Sequence, residues 1–501
     1  MIITVVPDVA GLDGKEFDYL VPEQLRDRDL DQVRVGGIVR IALQGRRVRA
    51  WVTAVDVAPP AGVTLKPIAL VSRGGLSVEV LELARWASWR WAGRLVHVLD
   101  TASSATARLT RGQRAEPGVT VLRVPPSAPV PQFENALLVG GRRSAVWASP
   151  PRFDAIVVID EHDEGLKEER VPAWHARDVA IERARRAGVP CVLISPCPSL
   201  EALAAADRVI EPSRTDERAG WPILDVIDRR QDDPRSGLYS PKLVDTIRRH
   251  DGQAALCILN RKGRSRLLAC NACGEVARCE RCDAAVVQPS SALVCERCGT
   301  ERPVICAACG STALRNLRVG VGRVQEEMDA ILGAGRVVVG TEALLHQPPA
   351  NVGVIAFVDF DQELLAPRYR ASEQAMGLLA RAARILGPRD RNGRLVVQTR
   401  SPQHPVLDAV LHADPSRMAA GELDRRRELG FPPVTALAAV SGAAAGEFVE
   451  VFGAPLGVEV LGPVDDHWLL RAPDHRTLCD ALAATPRPSG RCRVEVDPLR
   501  I

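Results

Sequence analysis

The chain has 501 residues, 46% of them hydrophobic, and a formal net charge of +3. That length can bury several cores, so three or four domains are expected, and the charge is too small to establish a nucleic-acid partner by itself. With no signal peptide and no apolar run of 18 residues, neither secretion nor a helical membrane span is expected, and the expectation is a soluble cytoplasmic protein. The basic balance is 5 lysines against 60 arginines, as genomic base composition produces, so an arginine run is weak evidence for DNA.

Residues 1–102 open on short strands at 2–6, 17–21, 35–43 and 49–57. Polar, Gly-containing clusters such as Gln44-Gly45-Arg46-Arg47 separate them, which predicts a small β-barrel or sandwich. Ser77 caps a helical stretch running to about Leu99, whose amphipathic pattern makes Trp86, Trp89 and Trp91 core residues rather than base-stacking platforms. Residues 103–135, rich in Pro, Ser and Arg, read as a linker. Residues 136–230 alternate strand and helix: a buried strand at 156–159 ends in Asp160-Glu161-His162, followed by helix 179–187, strand 191–194 and helix 200–206. Residues 231–421 repeat that grammar with strands at 254–259, 337–339, 354–358 and 395–398, a helix after Val324 and another at 371–386. Such alternation predicts parallel, doubly wound sheets. Residues 422–501 form a final α+β module ending in a strand at 493–497. The fold class is α/β multidomain.

Inside the second βα set, residues 268–312 carry four Cys-x-x-Cys pairs: Cys270/Cys273, Cys279/Cys282, Cys295/Cys298 and Cys306/Cys309. Eight thiolates are what two closed tetrahedral Zn²⁺ sites require. An iron–sulfur cluster is the competing reading. The gaps between pairs are x₅, x₁₂ and x₇. Only x₁₂ holds a hairpin, so Cys279, Cys282, Cys295 and Cys298 are expected at one zinc and Cys270, Cys273, Cys306 and Cys309 at the other, with a cross-braced arrangement as the alternative. Gly274, Gly299 and Gly310 follow three pairs and can turn backbone N–H groups towards the sulfurs. Arg264, Arg266, Arg278, Arg281, Arg297 and Arg302 surround the array and either balance its charge or face phosphate. The five remaining cysteines are odd in number and unpaired in pattern, which fits a reducing cytoplasm.

The order of pieces resembles the primosomal protein N′ family of replication-restart DNA helicases over nearly the full length, in a shortened form. The cysteine spacing, preceded by Leu259-Asn260-Arg261-Lys262-Gly263, carries most of the resemblance. Phe17-Asp18-Tyr19-Leu20-Val21-Pro22-Glu23, Ile159-Asp160-Glu161-His162, His175-Ala176-Arg177-Asp178, Gly340-Thr341, Gln398-Thr399, His404-Pro405, Phe431-Pro432-Pro433, Leu461-Gly462-Pro463 and Asp497-Pro498 carry the rest. The resemblance implies a DNA 3′-end binding domain, two RecA-like lobes with the zinc insertion in the second, and a C-terminal domain. It implies forked and single-stranded DNA, primosome and helicase-loading proteins and single-stranded DNA-binding protein as partners, and a cytoplasmic, nucleoid-associated location. In it Phe17 and Asp18 meet the terminal nucleotide, with Gly45 and Lys66 lining the pocket. Read from residue types alone, Phe17 is a core aromatic and Asp18 a turn residue.

The departures concern the motor. A P-loop needs Gly-x₄-Gly-Lys-[Ser/Thr] to cradle phosphates. The only Gly-Lys here is Gly14-Lys15, and no lysine lies between Lys66 and Lys167. The first lobe therefore reads as truncated, without the P-loop strand, loop and helix, and there is no room for the family's winged helix. The box Asp160-Glu161-His162-Asp163 is altered, the two arginines of the last motif fall on Ile385 and Pro388, Ser195-Pro196-Cys197-Pro198 replaces a coupling motif, and no Lys-Gly-His follows Gly340-Thr341. Asp160 and Glu161 then read as solvated residues at a strand end. The function expected is fork binding and helicase reloading without catalysis, the alternative an active ATP-dependent 3′→5′ helicase. The paired βα lobes disfavour a third reading, a zinc-ribbon transcription factor.

Overall fold

The computed structural model describes the chain except residues 10, 13, 24–30, 59–61, 233–237, 251, 260–267, 290 and 317–320, and only the backbone of 316 and 321–324. Asn260 to Gly263, Arg264 and Arg266 thus lie outside the described residues.

Strands β1 (Ile2–Pro7), β2 (Phe17–Leu20), β3 (Gly37–Leu43), β4 (Arg46–Val55) and β5 (Leu70–Gly75) form an antiparallel sheet in the order β2-β1-β4-β3-β5. Its edges meet where Leu20 N–H donates to the Lys66 carbonyl at 2.9 Å and Ile68 N–H to the Leu20 carbonyl at 2.9 Å, closing a barrel. Gln44 (φ 47°) and Gly45 (φ 76°) make the two-residue β3–β4 turn, where positive φ at both positions matches strand twist. Period-two burial puts Ile3, Val5, Val39, Ile41, Ala50 and Val52 inside. Ser77 caps the helix Val78–Arg90 through a bond from Val80 N–H. The expected single helix is two: the second is Leu95–Ser103. Trp91 is fully buried and meets Trp86 edge-on at 5.4 Å.

The segment 103–135 is not a linker. It contains β6 (Val119–Arg123), which lies between β10 (Arg208–Ile210) and β9 (Cys191–Ser195) in a parallel sheet completed by β7 (Ala136–Val139) and β8 (Ala155–Ile159), in the order β10-β6-β9-β8-β7. The expected loss of a strand from this region needs correcting with it: an interior strand, β6, is present, and no helix follows it directly. All of residues 124–135 are described and none is helical. The helix Ala176–Ala187 covers one face of this sheet, with Val179, Ala180 and Ala184 against Val121, Ile156 and Leu193. The other face is covered by irregular chain through Ala128, Val130 and Phe133.

The second sheet begins with β11 (Ile223–Asp228), which the sequence placed in the first lobe, so the boundary falls between β10 and β11 rather than at 230. It continues with β12 (Ala254–Ile258). Four short strands then form the cysteine insertion: β13 (Leu268–Cys270), β14 (Ala292–Val294), β15 (Glu301–Pro303) and β16 (Leu314–Asn316). After it come β17 (Val337–Gly340), β18 (Val352–Phe357) and β19 (Arg394–Thr399), giving the parallel order β11-β19-β18-β12-β17. Ile355, Phe357, Leu395 and Val397 face the helices Ala371–Leu386 and Pro405–Leu411, while Val354, Ala356 and Val396 face Pro241–Arg249. The expected domain start at 422 falls inside the helix Ser416–Leu429. Beyond it, β20 (Ala436–Ser441), β21 (Glu459–Val464), β22 (His467–Ala472) and β23 (Arg493–Val496) form an antiparallel sheet in the order β21-β22-β20-β23. Its core is continuous with that of the first parallel sheet and of helix Val78–Arg90. No helix among the described residues is long and apolar enough to cross a membrane.

Candidate functional site

Three places carry chemistry. In the insertion, the β14–β15 hairpin brings Cys279, Cys282, Cys295 and Cys298 together, and the β13–β16 pair brings Cys270, Cys273, Cys306 and Cys309 together. Within each group the sulfurs lie within 4.8 Å of one another, the closest pairs at 3.4 Å (Cys279, Cys298) and 3.5 Å (Cys270, Cys309). Disulfide sulfurs would be ~2.05 Å apart. A tetrahedron with metal–sulfur bonds of ~2.3 Å has edges near ~3.8 Å, so each group fits one metal ion, in the nested pairing. The amides of Gly274, Gly299 and Gly310 (φ 75°, 73° and 76°) donate to the carbonyls of Cys270, Cys295 and Cys306 rather than to sulfur, and Asp283 (φ 61°) does the same for Cys279. These bonds close each knuckle. Burial raises the Cys270 thiol, but the N–H groups of Cys273 and Ala272, together with hydrogen bonds from the neighbouring Cys309 and Cys273 thiols, more than offset it and bring it to about 6. The inner group is the more enclosed, since Cys273 and Cys309 of the outer one are exposed.

The arginines around the array mostly hold backbone. Arg297, buried, donates from Nε to the Arg368 carbonyl at 2.9 Å and from Nη1 to the Cys282 carbonyl at 3.1 Å. Arg278 Nη2 reaches Ser401 Oγ at 2.6 Å, and Arg302 Nη2 the Arg278 carbonyl at 3.2 Å. With Ala285 N–H on the Leu365 carbonyl at 2.7 Å, they fasten the insertion to the second parallel sheet.

On the barrel, Phe17 is half-buried and packs against the core from β2. Asp18 lies in the strand rather than a turn, on the opposite face, where its Oδ1 accepts from Thr4 Oγ1 at 2.7 Å. Gly45 sits exposed at the hairpin tip, and Lys66 is exposed beside the closing seam. Tyr19 Oη donates to the Ala42 carbonyl at 2.9 Å, tying β2 to β3 below that tip.

The third place is the cleft between the two parallel sheets. Asp160 and Glu161 are not solvated strand-end residues. Asp160, at φ 52°, accepts a two-pronged bond from Arg384, Nη1 to Oδ2 at 2.6 Å and Nη2 to Oδ1 at 2.7 Å. Burial alone would raise the Asp160 carboxyl; Arg384, His162 and Arg381 together hold it below its usual range. Arg384 Nε also donates to the Pro126 carbonyl at 3.2 Å, in the loop after β6. Glu161 is fully buried: Oε1 accepts from Ser199 N–H at 2.8 Å, and Oε2 from Ser199 Oγ at 2.7 Å and Arg177 Nη1 at 3.4 Å. His162 Nδ1 shares a hydrogen bond with Ser195 Oγ at 2.8 Å, and burial pulls its pKa down. Asp163 accepts from Arg381 Nη2 at 2.6 Å. Sequence reasoning missed Arg381 and Arg384, since a gapless reading put the arginine positions on Ile385 and Pro388. The available signal was their i,i+3 spacing on one helix after Gly377, whose missing side chain lets that helix close on His162.

The description 3′DNA-binding domain belongs to the family model that matches residues 4–104. Curated relatives match further along. The replication restart protein PriA of Bacillus subtilis is 28% identical over 348 residues, 61% of this chain and 43% of the relative. That of Haemophilus influenzae is 28% identical over 341 residues, 60% of this chain and 46% of the relative. The probable replication restart protein PriA of Mycobacterium tuberculosis is 30% identical over 371 residues, 66% and 56% respectively. The chain thus spans about half the length of the curated relatives it matches.

Proposed function

Given that the chain belongs to the PriA family of replication restart proteins, we propose that it binds abandoned or stalled replication forks and promotes primosome assembly and reloading of the replicative helicase, without unwinding DNA itself. The barrel supplies the contact to an exposed 3′ end. Asp18 spends Oδ1 on Thr4, which leaves Oδ2 to accept from the terminal 3′-OH or a base edge, with Lys66 towards phosphate, while Phe17 packs on the core side of the same strand. The eight cysteines hold two zinc ions, which make the insertion a rigid projection of the second lobe. The two parallel sheets are read as RecA-like lobes, the first truncated. The acidic box at the carboxyl end of β8 and a central β6 in the place of a P-loop strand support that reading.

One observation carries the absence of a motor: the Arg384 guanidinium bridges the Pro126 carbonyl and both oxygens of Asp160. In an NTPase, phosphates and Mg²⁺ lie between the loop after that strand and that carboxylate. Here the loop offers no cradle either. Pro125, Pro126 and Pro129 have no N–H, and the amides of Ser127 and Ala128 are spent on the carbonyls of Gly220 and Pro125. The test is phosphate release from ATP with and without forked DNA, beside a fork-binding titration on forks with free or blocked 3′ ends. Salt-dependent fork binding and no phosphate release are expected, and Asp18→Ala should remove the preference for a free 3′ end while sparing non-specific affinity. Fork-stimulated hydrolysis would overturn the non-motor reading; equal loss on every DNA would make Asp18 purely structural.

A further inference from the structure

The helix Ala371–Leu386 buries Ala375, Met376, Leu379, Ala382, Ala383 and Leu386 in its own lobe. Arg370, at its N-cap, and Glu373, Gln374, Gly377, Arg381 and Arg384 recur instead at steps of three and four, which is one stripe along a helix. That stripe faces the other lobe. Arg370 pairs with Glu201, Gln374 Nε2 donates to Glu164, Arg381 to Asp163 at 2.6 Å and Arg384 to Asp160 at 2.6 Å, while Glu373 Oε1 accepts from Leu200 N–H at 2.9 Å. At Gly377 a side chain would come within 3.3 Å of His162. Arg426 closes the end of the seam by pairing with Glu373 and lying 3.4 Å from Glu201.

We propose that this cleft is a binding site whose resident ligand is the chain's own Arg384, so that the two lobes form a clamp held shut by its own side chains. A nucleotide-driven pair of lobes opens when its ligand leaves, because the charges facing the cleft then lose their partners. Here Asp160 and Asp163 of the box each meet a partner that cannot dissociate, since it is tethered to the facing helix. The planar fork of Arg384 matches the Asp160 carboxylate in two bonds, and a third reaches the loop after β6. The seam goes beyond the absence of hydrolysis: it sets the orientation in which the barrel, the zinc insertion and the C-terminal sheet are presented to a fork. It rests on the non-motor reading only in taking the cleft as free of nucleotide.

The test uses the full chain with its metals. Hydrogen exchange is read at residues 160–166 and along Ala371–Leu386, with a pair of spin labels spanning the lobes. In the double variant Arg381→Ala/Arg384→Ala, exchange at those two segments should rise roughly tenfold, equivalent to about 1.4 kcal/mol, and the interlobe distance should broaden. Exchange in the barrel and a metal content of two should stay unchanged. The charge exchange Asp160→Arg/Arg384→Asp, or millimolar methylguanidinium added to Arg384→Ala, should restore the narrow distance. If the double variant does not fold, Arg384→Ala alone decides. Unchanged exchange and distance in a folded variant, no restoration by either route, or a wild-type interlobe distance that shifts with ATP and Mg²⁺ would overturn the proposal. Phosphate release by the wild type with the seam intact would instead sink only the non-motor reading.

Discussion

Replacing Glu161 with glutamine should loosen the first lobe rather than abolish a chemical step. The Glu161 carboxylate is fully buried and accepts from Ser199 N–H at 2.8 Å, Ser199 Oγ at 2.7 Å and Arg177 Nη1 at 3.4 Å. Ser199 in turn caps the helix Leu200–Ala205. Glutamine keeps one acceptor for Ser199 N–H but turns an NH₂ towards Oγ and the guanidinium. Arg177 retains Asp178 at 2.8 Å and Ser199 Oγ at 2.9 Å, so the loss is one charge-assisted contact, about 2 kcal/mol. Glu161→Ala also strands Ser199 N–H in the interior and should cost about 3–5 kcal/mol. A chain with several domains does not unfold in two states, so the assay is native-state hydrogen exchange at β8 and the helix Ala176–Ala187. A loss of 2 kcal/mol appears there as roughly 30-fold faster exchange. Restart in cells should fall only as far as the folded population falls. Wild-type protection in Glu161→Gln, or a complete restart defect in a fully protected variant, would refute the structural role and return Glu161 to catalysis.

The inner and outer cysteine groups should respond differently to substitution. Cys282→Ser, within the buried group, should unfold the insertion and reduce bound zinc from two towards none, whereas Cys309→Ser should leave one, because structural zinc supplies roughly 10–16 kcal/mol of apparent binding free energy. Elemental analysis finding iron, or equal loss in both variants, would refute this. Stability should also fall with falling pH. Burial, with Arg425, Arg278 and Arg297, holds His404 neutral down to about 3, so between pH 6.5 and about 3 only the unfolded chain takes up that proton and stability declines as pH drops. Burial would raise Glu373, but Arg426 and Arg370 bring it down to about 2, which adds a second loss as pH falls from 4.5 towards 2. Urea midpoints that stay level from pH 7 to pH 3.5 would contradict both.

What the sequence determined by itself is what local chemistry dictates. A Cys-x-x-Cys pair is one turn and the x₁₂ gap can hold one hairpin, so spacing favoured the nested ligand groups over the cross-braced ones, and the fold brings the nested groups together. Ser77 as a helix cap, the Gln44-Gly45 turn and the apolar runs of β8, β9, β18 and β19 were equally legible, because each is decided within a few residues. The tertiary structure decided the rest. Strand β6 is five residues in a Pro- and Arg-rich stretch, and it becomes a central strand only because Cys191 and Arg208 bring partners to either side of it. Glu161 looks like a solvated acid at a strand end until Ser199, 38 residues away, closes over it. Arg384 is an ordinary helix cation in the sequence, and its place in the cleft depends on Asp160, 224 residues earlier. Bond-forming partners that far apart leave no periodicity or spacing for local rules to read, so only the packing of the two parallel sheets puts the Arg384 guanidinium on the Asp160 carboxylate.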